Sequence, residues 1–87
     1  MGNNNNQTQL TVYIRAGCHL CDALLEELEK FCSKQPFIYE TIEISNDDEL
    51  EKRYGTKVPV VEYNGTTLCE YFLDIDAINV YFGQSIN

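Results

Sequence analysis

The 87-residue chain has no tryptophan, one methionine, one histidine and two prolines, and its six Lys and Arg residues face fourteen Asp and Glu for a net charge of −8. The cations are scattered, so no basic stripe exists to neutralise phosphates, which disfavours nucleic acid and anionic membrane surfaces as partners. No apolar run approaches the roughly 20 residues needed to cross a bilayer. The first residues, MGNNNNQTQ, carry neither the positive n-region nor the apolar h-region of a secretory signal, and Asn6 stands where a myristoylation motif after Gly2 needs Ser or Thr. The expectation is a cytoplasmic protein with a disordered polar arm over residues 1–9 and a single domain over 10–87. At this size only roughly 60% of the unfolded chain's surface is buried on folding, so the core is thin.

What the chain does have is four cysteines. Two structural disulfides would need an oxidising compartment, and in a reducing one close thiols point to redox or metal chemistry instead. Cys18 and Cys21 fall where a strand-like run, Leu10 to Ile14, gives way to a helix-like one from His19 to Phe31. In that helix Leu20, Ala23, Leu24, Leu28 and Phe31 recur on one face, opposite Asp22, Glu26, Glu27, Glu29 and Lys30. A thiol at a helix N-terminus meets unsatisfied N–H groups and the positive end of the helix dipole, both of which favour the reactive thiolate. Spacing by three puts Cys21 about one turn in from Cys18, on the same side. Cys18 is therefore the expected nucleophile and Cys21 the resolving thiol. A protonated His19 would favour the thiolate further, and Asp22 would oppose it.

Other readings of the pair stand beside this one. The two cysteines could be inert core thiols, or part of a zinc or iron–sulfur site drawing on Cys18, Cys21, Cys32, Cys69 and His19. The second closely spaced pair typical of structural zinc sites is absent, so no metal ligand is assigned. Cys32 and Cys69 are taken as buried structural thiols, and Tyr13 as core.

Beyond Pro36, Phe37 to Ile44 reads as a second strand, apolar at Ile38, Ile42 and Ile44, and a strand–helix–strand order suggests a parallel pair. SNDDELEKRYG supplies a second helix, with Asn46 and Glu49 spaced as a capping box and Gly55 placed to end it. VPVVEY and TTLCEYF flank Asn64-Gly65, a hairpin signal, and Asp74 is a good N-cap for a last helix from Ile75 to Phe82, with Gly83 as its stop. The element order is βαβαββα.

From about residue 9 to residue 83, the strand leading into CHLC, the segment YGTKVPVVEYNG and the short strand and helix after it resemble the thioredoxin superfamily, and within it the glutaredoxin-like proteins. The resemblance implies an α/β, thioredoxin-like fold: a four-stranded mixed sheet with the first and last helices on one face and the second on the other. It also implies a cis Val58-Pro59 bond facing the cysteines, with the Val58 peptide group pairing with the backbone of an incoming peptide or glutathione. Arg15 and Lys57 would meet substrate carboxylates. The expected activity is thiol-disulfide oxidoreduction on protein or small-molecule disulfides by a monomer without bound cofactor, glutathione serving as co-substrate. The alternative is a non-enzymatic binding module or metal protein on the same fold. The chain departs from the family where a Gly-Gly pair usually receives glutathione: LCEYFLD puts Cys69 and Glu70 there, and Glu70 would repel an anionic ligand if it points into the groove.

Overall fold

The structure, a computed structural model, describes residues 8–83. Residues 1–7 of the expected arm, and the chain after residue 83, lie outside the described residues. The elements are β1 (Thr8–Ile14), α1 (His19–Cys32), β2 (Phe37–Glu43), α2 (Asp48–Tyr54), β3 (Val60–Tyr63), β4 (Thr66–Glu70) and α3 (Ile75–Tyr81). Thr8 and Gln9, assigned to the arm for their polarity, are strand residues that pair with Phe37 and Ile38.

The strand order is β2-β1-β3-β4; β1 and β2 are parallel, while β3 runs antiparallel to both β1 and β4. This is the four-stranded mixed sheet of the thioredoxin-like fold. Side chains alternate across it, so each strand divides its residues between two layers. On one face Leu10, Val12, Phe37, Val61 and Cys69 pack against Leu24, Leu28 and Phe31 of α1 and Ile78 of α3. Phe31, Phe37, Tyr63 and Phe82 continue this core as a chain of ring contacts with centroids 4.9–5.3 Å apart. The opposite face carries a smaller cluster, Ile44, Tyr54 and Val60, with Tyr13, Leu50 and Val58 at its edge.

Several expected placements change. The buried stripe of α1 is Cys21, Leu24, Leu28 and Phe31, whereas Leu20 and Ala23 are exposed. Cys21, not Leu20, opens the stripe, because the helix is turned to put that thiol against the sheet. The apolar set Ile38, Ile42 and Ile44 faces away from the main core, and Ile38 is 40% exposed while Phe37 is buried. Both faces of β2 carry apolar residues, and the long helix α1 covers its face more fully than α2 can cover the other. The N-cap of α2 is Asp47, whose carboxylate accepts from Leu50 N at 3.1 Å, so the cap falls one residue after Asn46. Gly55 stays right-handed at φ −54. Glycine is required there for space, since a Cβ would collide with the Glu51 carbonyl. The hairpin turns through Asn64 and Gly65 at φ 50 and 82, and α3 begins with Asp74 accepting from Ala77 N at 3.0 Å and stops at Gly83, φ 71.

Candidate active site

Strand direction gathers the site at one end of the sheet. β1 ends at Ile14, and the chain turns through Gly17, at φ 75, into Cys18. Because β3 runs back along β1, with Val60 opposite Tyr13, residues 55–59 arrive beside that turn. β4 leaves at Glu70, opposite Val60, and Tyr71 N donates to Pro59 O at 2.8 Å. Residues 15–18, 55–59 and 71–74 thus converge.

Cys18 is the N-cap of α1, and its sulfur accepts a hydrogen bond from Cys21 N at 3.1 Å. The cap position that Ser or Asp usually fills is taken by a thiol, so an orphan helix N–H points at the sulfur. Cys18 is half-buried, and Cys21 is 1% exposed. Burial, followed by a side-chain hydrogen bond to Cys18, pushes the Cys21 thiol up to about 11, against the opposing pull of the Arg15 backbone N–H. The result is an unequal pair: one sulfur at the positive helix end with access to solvent, and one inside that keeps its proton. Both are free thiols.

Arg15, expected to meet a substrate carboxylate, is already engaged. Its Nη1 donates to Glu51 Oε2 at 2.6 Å, and its Nη2 donates to Glu51 Oε1 at 3.1 Å and Gly55 O at 2.7 Å. This is the one ion pair among the described residues. It raises the Arg15 pKa, first through the side-chain hydrogen bond to Glu51. Sequence reading missed Glu51, which lies 36 residues away and looks like any carboxylate on a solvated helix.

The Val58-Pro59 bond is cis, and Pro59 is buried. Tyr54 O accepts from Lys57 N at 2.8 Å and from Val58 N at 3.1 Å. The N–H half of the Val58 peptide, expected to pair with substrate, is therefore used within the turn that ends α2, while Lys57 is exposed. Tyr54 is itself anchored: its ring stacks on Tyr13 with centroids 4.0 Å apart, and its hydroxyl donates to Glu62, a carboxylate 6% exposed. A glutamate in the middle of the apolar run VVEY was the sequence's one trace of this contact.

Cys69 and Glu70, expected in place of the glycine pair, are strand residues opposite Val61 and Val60. Cys69 belongs to the main core, and Glu70 is exposed. The positive φ falls on Tyr71, at 70, where nothing in the sequence marks it. Its hydroxyl donates to Thr56 O at 2.8 Å, tying the loop after β4 to the loop before Pro59. An open cleft of about 540 Å³ follows, between Cys69 and Asp76, with Glu70, Asp74 and Asp76 in its lining; neither Cys18 nor Cys21 lines it. Cys32 is half-buried at the far end of α1. Among the described residues no group of three or more His, Cys, Asp or Glu could hold a metal ion, and no helix is long and apolar enough to cross a membrane.

Residues 9–82 match the family model described as Glutaredoxin-like domain (DUF836). No curated protein matches the chain. Among solved structures, protein Ne2328 from Nitrosomonas europaea is 38% identical, with 93% of this chain and 98% of that one covered and a TM-score of 0.78. Protein XcR50 from X. campestris is 31% identical, covering 88% of this chain and 99% of that one, TM-score 0.66. The germline thioredoxin Deadhead from Drosophila melanogaster, 13% identical over 95% of this chain and 85% of that one at a TM-score of 0.56, shares the fold. With the family model spanning nearly all the described residues, the chain belongs to the glutaredoxin-like domain family of the thioredoxin superfamily.

Proposed function

We propose that this protein is a thiol-disulfide oxidoreductase whose redox pair is Cys18 and Cys21. The observation that carries the reading is the inequality of the two sulfurs: Cys18 caps the helix and receives an N–H, and Cys21 lies buried one turn behind it with its proton held up to about 11. Cys18 thiolate attacks a substrate disulfide; a new S–S bond forms to Cys18, and the substrate bond breaks to release one substrate sulfur. Cys21 then attacks the Cys18 sulfur and gives its proton to the second departing substrate sulfur. The substrate gains two electrons and the protein is left with a Cys18–Cys21 disulfide, which an outside thiol reduces. Protein or small-molecule disulfides are the partner class, no resident cofactor takes part, and a reducing compartment such as the cytoplasm suits the cycle.

The test is a pair of substitutions followed by mass spectrometry under non-reducing conditions. Cys18→Ser removes turnover, and Cys21→Ser accumulates a mixed disulfide between Cys18 and substrate. Equal trapping by both variants reverses the assignment. If equilibration in a glutathione redox buffer gives no two-electron dithiol transition for the wild-type protein, the reading is wrong.

A further inference from the structure

Arg15, expected to meet a substrate carboxylate, is not available to substrate. Arg15 lies three residues before Cys18, yet both oxygens of Glu51 and the carbonyl of Gly55 occupy its donors. A guanidinium fork satisfied bidentately by one carboxylate has little left for a second, and the paired charges largely cancel at a distance. Glu51 is carried by α2, and the Gly55 carbonyl holds the guanidinium independently of it. The surroundings add no compensating cation from Glu70 to Asp76, where Glu70, Asp74 and Asp76 are exposed, and the whole chain carries a net charge of −8.

We infer that Glu51 is a specificity-determining residue: as the internal counter-ion of Arg15 it turns the thiol site against disulfides bearing carboxylates and toward neutral or cationic ones. The inference rests on the oxidoreductase reading and names its substrate class. Glu51 does not touch the reacting sulfurs. It acts through Arg15, so its signature is a change in charge preference rather than in overall rate. Lys57 is exposed in the 55–59 loop, and being common to wild type and variants it drops out of the change in the rate ratio between them.

The experiment uses three symmetrical disulfides, dithiodipropionate with two carboxylates, hydroxyethyl disulfide with no charge and cystamine with two ammonium groups, and divides each rate by that of a small uncharged thiol with the same reagent, because their leaving thiols differ in acidity. The reduced full-length protein is mixed with each, and the rate of Cys18–Cys21 disulfide formation is recorded. In wild type the anionic reagent is slower than the neutral one and the cationic reagent faster, and added salt compresses the spread. Glu51→Gln keeps acceptors for Arg15 but removes the charge, and it raises the anionic-to-neutral rate ratio about two- to fivefold, the scale of one uncompensated charge near the surface. Arg15→Gln moves the ratio the other way, by leaving Glu51 uncompensated, and the double substitution returns it near wild type. A ratio that Glu51→Gln leaves unmoved, or a gain that persists in the double variant, overturns the role of Glu51. Should Glu51→Gln fail to fold, the Arg15→Gln shift and the salt dependence of the wild-type ratio decide the matter: absence of both overturns the proposal. If none of the three reagents forms the Cys18–Cys21 disulfide, the oxidoreductase reading itself fails; if all three do so with ratios indifferent to these charges, that reading stands and only this inference falls.

Discussion

On one face of the sheet, α1 and α3 cover an apolar layer in which Leu10, Val12, Leu28, Val61 and Ile78 are fully buried. On the other, α2, seven residues against the fourteen of α1, contributes Tyr54 to a small cluster with Ile44 and Val60, and that tyrosine is bonded to a buried carboxylate. The first face is held by area removed from water, and the second largely by directed contacts: Tyr54 to Glu62, Arg15 to Glu51, and Tyr54 O to the turn before Pro59. The proposed site sits at their seam. Cys18 and Cys21 are rooted in the apolar layer through α1, while the loop that faces them hangs from the polar one. Apolar burial is tolerant of exact geometry, whereas a hydrogen bond fixes direction, so the loop is the part of the site whose position depends on individual atoms.

The comparison breaks most easily on the apolar side. Leu28→Ala removes a fully buried side chain from beneath the sheet and is expected to cost about 2–5 kcal/mol, a large share of the roughly 5–15 kcal/mol a small domain has, read as a fall in the urea midpoint. On the polar side, Tyr54→Phe leaves the Glu62 carboxylate buried without its donor and should cost about 1–3 kcal/mol. The double change Tyr54→Phe with Glu62→Leu should recover much of that loss, because no polar atom is then left unpaired. If the double variant is no more stable than Tyr54→Phe alone, the second face is not organised around this bond. A smaller effect, about 1 kcal/mol, is expected for Asp74→Ala, which deletes the cap on Ala77 N and loosens α3 from the apolar layer.

The same contrast explains what could be read from the chain itself. Element order, the parallel first pair, the hairpin at Asn64-Gly65 and the Asp74 cap follow from short-range signals, each confined to a few neighbours, and the structure has them where expected. So is the setting of Cys18 and Cys21, because a helix N-terminus is a local event. What was not legible depends on partners far apart. Arg15 looks available until Glu51 is folded against it, and Val58 N–H looks free until the end of α2 turns toward it. Tyr71 carries a positive φ that its residue type gives no reason to expect. That the first turn of α1 buries Cys21 and exposes Leu20 is decided by packing on the sheet, and an apolar count along the helix alone does not distinguish the two.

A last test, read as a slope, sharpens the comparison by separating the two faces on a pH axis. Burial raises the thiols of Cys21, Cys32 and Cys69, the first of them from 9.0 to about 11. The folded chain then holds protons that the unfolded chain releases, so the contribution of Cys21 to stability is complete below about pH 9 and is lost as pH rises through 11, with Cys32 and Cys69 acting in the same direction. Tyr54, raised by desolvation and then by its bond to Glu62, holds its proton above the ordinary tyrosine range of about 10, so its share of the loss begins only there. Urea unfolding across this interval should therefore show a decline that starts near pH 9 and steepens above about 10. Cys21→Ala should flatten the first part and leave a residual slope from Cys32 and Cys69, and Tyr54→Phe should flatten only the second. The slope is the readout, because the cavity left by Cys21→Ala lowers stability at every pH alike. A profile level from pH 9 to 11 would mean that Cys21 ionises in the folded protein as easily as in the unfolded one, and the inequality of the two sulfurs would then have no basis in burial.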